Sequence, residues 1–347
     1  MKINIFYQTK KGPWGGGNQF VLALTKYLKR FNQYAQNPED ADAILFNLNP
    51  SASLPMLLSR LKILKNKHPK KLVFCRIDGP VYLVRNKDLD LDHAFYKLIC
   101  ALSDGVIFQS NWSRQNNYNL GLKHHEFEKV IMNASDPNIF NNHGKFPFSN
   151  KRKPRLIITS WSSNWRKGFE IYNWLDQHLN FDKFELTFAG NTPITFSNIK
   201  HIPPLDSEKL ADLLKYNDIY LTASQKDPCS NALIEALSCG LPSLAKNDGG
   251  HPEIVGKGGE LFHEPQEIPE LLHNIINNYN TYQNNIRIQT MYHIGKQYVD
   301  FINDIYDNVL LKKYTPKLFT NPNYMSIYGR IFCWKLKNKI LSIYNYF

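Results

Sequence analysis

Two runs of alternating strand and helix signals, separated by a polar stretch, leave this chain few ways to fold. In the first run, residues 3–8, 43–48, 72–77, 105–109 and 129–132 are short apolar segments rich in β-formers. Between them, residues 19–31, 54–64 and 112–120 carry apolar side chains at helical spacing, the first on Phe20, Leu24, Leu28 and Phe31. Strand-helix units with crossovers of roughly 10 to 20 residues imply a parallel, doubly wound sheet. After Phe140 the pattern lapses, and residues 141–154 are polar, basic and interrupted by proline, which reads as a linker. It resumes with strands at 155–159, 184–189 and 218–224 and helices at 168–179 and 207–216. A chain of 347 residues accommodates two cores more comfortably than one. The expected fold is α/β, with two Rossmann-like doubly wound domains at 1–145 and 146–310 facing a central cleft. Residues 311–347 are expected as a separate C-terminal segment, helical, packing back or membrane-peripheral.

The strand at 218–224 runs into Asp227-Pro228-Cys229-Ser230-Asn231-Ala232-Leu233-Ile234-Glu235. Pro228 and Ser230 are good chemistry for opening a helix, so the pattern is strand, loop, helix. Asp227 and Glu235 bracket the loop and the first helical turns, and the free N–H groups near Ser230 and Asn231 make a cradle for an anion. Such a site suits a charged, hydroxyl-rich ligand such as a nucleotide sugar. An ordinary helix with a surface acid and a half-buried glutamate would leave the same spacing.

With Cys239-Gly240-Leu241-Pro242 and Lys246-Asn247-Asp248-Gly249-Gly250-His251-Pro252-Glu253 following in order, the stretch resembles the family 4 glycosyltransferases of the glycosyl transferases group 1 type. That family carries an acid, seven residues and a Glu ahead of a small-Gly-hydrophobic-Pro strand. Its first acid is usually Glu; here it is Asp227, one methylene shorter. The resemblance covers residues 1–306 and is strongest over 155–262. It implies the GT-B architecture, with acceptor mainly on the first domain and donor on the second. It also implies transfer of a hexose from a nucleotide diphosphate sugar to a hydroxyl acceptor, with retention of configuration and no metal or other cofactor. On this resemblance Glu235 binds the ribose hydroxyls, Asp227 the transferred sugar, Lys167 with Arg166 the diphosphate, and the amides at Cys229, Ser230 and Asn231 the phosphate or sugar.

Other segments fit the same frame. Gly12-Pro13-Trp14-Gly15-Gly16-Gly17-Asn18 lies between the first strand and helix, where glycines let backbone amides approach a phosphate. Its spacing is not that of a dinucleotide fingerprint; the family places this loop near the diphosphate, making Gly16, Gly17 and Asn18 candidate contacts, or it is a structural turn. Ser160-Trp161-Ser162 stands where the family has Gly-Arg, while Lys167-Gly168 matches the second half of that segment; Arg166 supplies the missing charge, or Ser162 and its neighbour bind through hydroxyls. Arg76 and Asp78, at the end of a first-domain strand, are candidates for phosphate or acceptor contacts, with a salt bridge supporting the Gly79-Pro80 turn as the alternative. Asp88-Leu89-Asp90-Leu91-Asp92-His93 has acids at metal-motif spacing but in a polar setting, and reads as the cap of a helix beginning near His93. The chain beyond 281 reads as helical and then irregular. Its end interleaves aromatics and aliphatics with lysines, suiting either packing on the first domain or peripheral membrane contact.

The net charge of +12 and pI near 9.3 call for an anionic partner. Scattered basic residues without a nucleic-acid-binding signature argue against nucleic acid. No apolar run approaches the ~18 to 20 residues that span a bilayer, and the N-terminal stretch is too short for a signal peptide, so a cytoplasmic protein is expected, with a glycan, lipid-linked or protein hydroxyl as acceptor. Five cysteines, mostly inside apolar runs and without a Cys-x-x-Cys pair, read as reduced thiols. Two rival readings are a catalytically inactive sugar- or nucleotide-binding protein of the same fold, and a basic nucleic-acid-binding protein.

Overall fold

The computed structural model describes residues 1–10, 12, 15–51 and 53–344, with side chains through Ile340. Lys11, Pro13 and Trp14 of the glycine-rich segment and residues 345–347 of the C-terminal segment lie outside the described residues. The chain forms two compact units, one of Met1–Gln8, Leu24–Met132 and Gly295–Phe347, the other of Thr9–Ala23 and Asn133–Ile294. These follow other lines than the expected 1–145, 146–310 and 311–347. The expected linker at 141–154 is part of the second unit: Phe148 stacks on Tyr279 at 4.1 Å, and Arg152 pairs with the buried Asp218 at 2.6 Å. The glycine-rich segment also groups with the second unit, and the C-terminal segment with the first.

In the first unit, strands β1 (Ile3–Phe6), β2 (Ala43–Leu48), β3 (Leu72–Ile77), β4 (Gly105–Phe108) and β5 (Glu128–Val130) form a parallel sheet in that order. The first four are buried throughout, as parallel strands covered on both faces are. On one face Phe46 and Phe108 pack with Leu58, Leu61, Leu98 and Ile331; on the other Phe74 meets the edge of Phe301 at 5.8 Å. A parallel bridge from Ile3 to Tyr34 extends the sheet beyond β1, so the chain leaving β1 first visits its outer side before crossing to β2.

One local reading is corrected here. The acidic run does not cap a helix at His93; the helix is Leu89–Leu102, and the buried Asp92 within it accepts from the N–H groups of Val81 and Tyr82 at 2.7 and 2.8 Å. Burial pushes Asp92 up to about 6, against the pull of those two hydrogen bonds. The C-terminal segment forms a helix over Asn321–Tyr344, with Ile327 and Ile331 buried against the first unit's core.

In the second unit, β6 (Arg155–Ser160), β7 (Glu185–Gly190), β8 (Lys200–Ile202), β9 (Ile219–Thr222), β10 (Ser243–Lys246) and β11 (Gly259–Phe262) form a parallel sheet of order β11-β10-β9-β6-β7-β8. The chain steps outward from β6 to β8, then returns to the other side of β6 for β9. At that reversal the loops leaving β6 and β9 diverge, which opens a crevice at the carboxyl ends of the two strands.

Candidate functional site

A cavity of about 300 Å³ occupies this crevice, inside the second unit. Thr159, Ser160, Trp161 and Ser162 line it from the end of β6 and the loop beyond, Ser224 and Asp227 from the loop after β9, and Gly16 and Gly17 from the glycine-rich segment. The remaining wall is the start of helix Asn231–Ser238. Ser230 is its extended N-cap, and its Oγ accepts from the Leu233 N–H at 3.4 Å. Asn231 and Glu235 are four apart and share one helix face, turned to the cavity, while Leu233, Ile234 and Leu237 are buried in the core.

The two acids of this wall have opposite electrostatic situations. Glu235 is 8% exposed, and among the described residues no hydrogen bond or ion pair engages its carboxylate. Burial alone pushes it up to about 8. Asp227 is also desolvated, which raises its pKa, but the Lys167 ammonium, His251 and hydrogen bonds outweigh that and hold it below the usual carboxylate value. Lys167 Nζ lies 2.8 Å from Asp227 Oδ2, and the Cys229 N–H donates to Oδ1 at 3.3 Å. One acid is a committed anion. The other is a desolvated carboxyl group without a partner among the described residues, at the edge of a cavity.

Backbone geometry holds Asp227 in place. The Gly250 N–H donates to the Asp227 carbonyl at 2.8 Å, and Gly249, at φ +63°, passes so close that a Cβ would stand 2.3 Å from that oxygen. Gly249→Ala therefore combines left-handed strain with a backbone clash, and is expected to destabilise the protein by about 2 kcal/mol or more. Chemical denaturation at neutral pH measures it; a loss under about 0.5 kcal/mol would mean the turn relaxes freely. Gly16 meets a similar constraint, since its Cβ would sit 2.3 Å from Asn231 Cβ.

Of the sequence-predicted site residues, Gly16, Gly17, Ser162, Lys167, Asp227, Cys229, Ser230, Asn231 and Glu235 line one cavity. Others do not. Arg166 is absent from the wall, and its backbone is fixed by contacts with Asn164 and Gln225. Asn18 is buried, and its amide bridges the Lys10 backbone N–H and C=O at 2.8 and 2.9 Å, so its polar groups are already engaged. Arg76 is 1% exposed in the first unit, bound to Asn47, to the Tyr298 hydroxyl at 3.0 Å and to Asp78 at 3.3 Å. That is the salt-bridge alternative, with Asp78 as the accessible partner.

Sequence reasoning missed the far wall, which Ala189 and Gly190 form with Pro204, Leu205 and Leu210. Its signal was the end of β7 and the short polar β8, whose composition does not read as a strand. His251 was passed over as well. It is fully buried, its Nδ1 bonds the Lys246 carbonyl at 2.9 Å, and burial lowers its pKa against the opposing pull of Asp227.

Residues 196–289, which contain both acids of the wall, match the family model of Glycosyl transferases group 1. Among curated proteins, the chain is similar to a probable sucrose-phosphate synthase of Thermosipho melanesiensis, 30% identical over 182 residues (48% of this chain, 41% of that protein), and to spore coat protein SA of Bacillus subtilis, 26% identical over 129 residues (35% and 32%). One component of the human phosphatidylinositol N-acetylglucosaminyltransferase is 22% identical over 213 residues (52% and 43%). The chain thus spans about a third to two fifths of the length of the curated relatives it matches. Two solved structures share its fold. HepE of Anabaena, crystallised with UDP and glucose, superposes with a TM-score of 0.67 at 15% identity, covering 88% of this chain and 100% of that one. WaaG, a glycosyltransferase involved in lipopolysaccharide biosynthesis, gives 0.61 at 11% identity over 87% and 99%. The fold class is that of these GT-B glycosyltransferases, two parallel-sheet Rossmann-like units.

Proposed function

We propose that the chain transfers a hexose from a nucleoside diphosphate sugar to a hydroxyl acceptor, with retention of configuration and without a metal. The observation that carries this reading is the Glu235 carboxylate, desolvated and unengaged among the described residues, on the wall of a cavity whose other acid is already paired. A buried acceptor without a donor is costly to keep, and the vicinal hydroxyls of a ribose supply two donors to one carboxylate. Pro204, Leu205 and Leu210 offer an apolar wall to the base. Lys167, 36% exposed, and the first-turn amides of Asn231–Ser238 supply positive charge for the diphosphate, and Asp227 accepts from hydroxyls of the sugar. In the reaction the bond from the anomeric carbon to the diphosphate oxygen breaks, a bond to the acceptor oxygen forms, and the acceptor's proton leaves with the diphosphate. The role of the chain is positioning and charge stabilisation. Asp78 is the first unit's candidate for an acceptor hydroxyl. The UDP-bound relative of the same fold and the group 1 match around both acids support a nucleotide-sugar donor.

The test is a panel of UDP-, GDP- and ADP-sugars in EDTA. One nucleotide is expected to bind saturably, and at ~100 times its dissociation constant to stabilise the protein by ~2.7 kcal/mol. Radiolabelled sugar is then expected in an acceptor-linked product. No stabilisation by any of them would remove the reading; turnover lost in EDTA and restored by Mn²⁺ would remove its metal-free part.

A further inference from the structure

The helix Asn321–Tyr344 has two apolar faces, and the first unit uses one. Ile327 and Ile331 are buried, and the Tyr324 hydroxyl lies 3.0 Å from Ser59 Oγ. At about 3.6 residues a turn, Met325, Phe332, Leu336 and Ile340 fall on a second stripe facing away from that contact. They are 65%, 44%, 44% and 53% exposed. Arg330 and Lys337 border this stripe on one side and Lys335 and Lys339 on the other, all with exposed side chains, and the 24-residue helix contains no Asp or Glu.

We infer that this outer stripe docks the protein onto an anionic lipid surface, the helix lying along the interface with its apolar side chains at the acyl boundary and its cations among the headgroups. An apolar stripe flanked by cations is the pattern of an interfacial helix. The occupant follows from charge. A second copy of the chain would set the same cations against one another, and a nucleic acid would leave Phe332 and Leu336 in water. No described helix is long and apolar enough to cross a membrane, so the mode is lying on the surface. This inference stands apart from the reading of the cavity.

The experiment is co-sedimentation of the full chain with phosphatidylcholine vesicles and with vesicles also containing phosphatidylglycerol. Binding is expected to the second kind and to fall with added salt. Removing the cations in R330A/K335A/K337A is expected to weaken it about fivefold per residue, and F332S/L336S at least tenfold. Both variants change exposed side chains, and circular dichroism checks their fold. A readout that leaves the stripe intact uses the exposed Cys333, labelled with an environment-sensitive fluorophore after Cys100→Ser, with a blue shift expected only on anionic vesicles. Failure to sediment, equal binding to both vesicle types, or undiminished binding by F332S/L336S would overturn the inference. So would a dimer in sedimentation equilibrium that Phe332→Ser dissociates.

Discussion

Replacing Glu235 by glutamine is expected to weaken nucleotide binding roughly 10- to 100-fold while making the free protein more stable. The affinity falls because glutamine keeps one carbonyl oxygen where the carboxylate offers two charged acceptors, and a charge-assisted hydrogen bond contributes about 1.5–3 kcal/mol. Stability rises because the buried carboxylate has no partner among the described residues until ligand arrives. Its folded pKa of about 8 stands above the unfolded value of 4.5, so between these values the folded state holds a proton that the unfolded state has released. Stability of the free protein therefore declines as pH rises through that window, by a few kcal/mol in total, and the full cost stands above it. Thermal melts from pH 5 to 9 should show this slope in the native chain and a flatter one in Glu235→Gln. Binding of nucleotide to the ionised form should also release a proton near neutral pH, measurable by calorimetry in buffers of different ionisation enthalpy. Unchanged affinity in a folded Glu235→Gln protein would remove the central assignment.

Much of this site was legible in the sequence because its signals are local. The strand at 218–224, Pro228 with Ser230, and two acids eight apart lie in one continuous segment, and helical spacing puts Asn231 and Glu235 on one face without reference to anything distant. The near-continuous apolar runs of β2, β3 and β6 are equally local, which is why their expected limits lie within a residue of those observed. What failed depends on partners remote in sequence. Arg76 looks like a free cation at a strand end until Asn47 and Tyr298 are brought to it. Residues 141–154 read as a linker because their polarity hides Phe148 stacking on Tyr279 and Arg152 reaching Asp218. Asn18 is chemically as good a ligand contact as Asn231, but its amide is engaged by the Lys10 backbone. The order of strands in the second sheet, which creates the crevice, is set by tertiary packing and leaves no mark in periodicity.

Asp227→Asn is expected to lower kcat by about 10²- to 10³-fold, the usual cost of losing one preorganised electrostatic group, while changing the dissociation constant of the bare nucleotide only a few-fold. The split follows from the two acids' situations: Glu235 waits empty for the nucleoside, whereas Asp227 is already ionised and aligned by Lys167, by the Cys229 amide and by the turn at Gly249. Asparagine has nearly the same shape, so the turn survives, but the substitution leaves the Lys167 ammonium without its counter-charge. That loss carries a second, pH-dependent signature. Because the folded pKa of Asp227 lies below its unfolded value of 3.8, its stabilisation is present above that value and disappears as pH falls through the folded one. The variant should therefore be less stable than the native chain at neutral pH, by about 1–2 kcal/mol since Lys167 is partly exposed, and the gap should close in strong acid. Steady-state kinetics with the donor, nucleotide calorimetry and paired acid melts separate the cases. If nucleotide affinity falls as far as kcat, Asp227 acts only by holding Lys167 for the diphosphate; Lys167→Met would then reproduce the whole loss, and the sugar would need another acceptor.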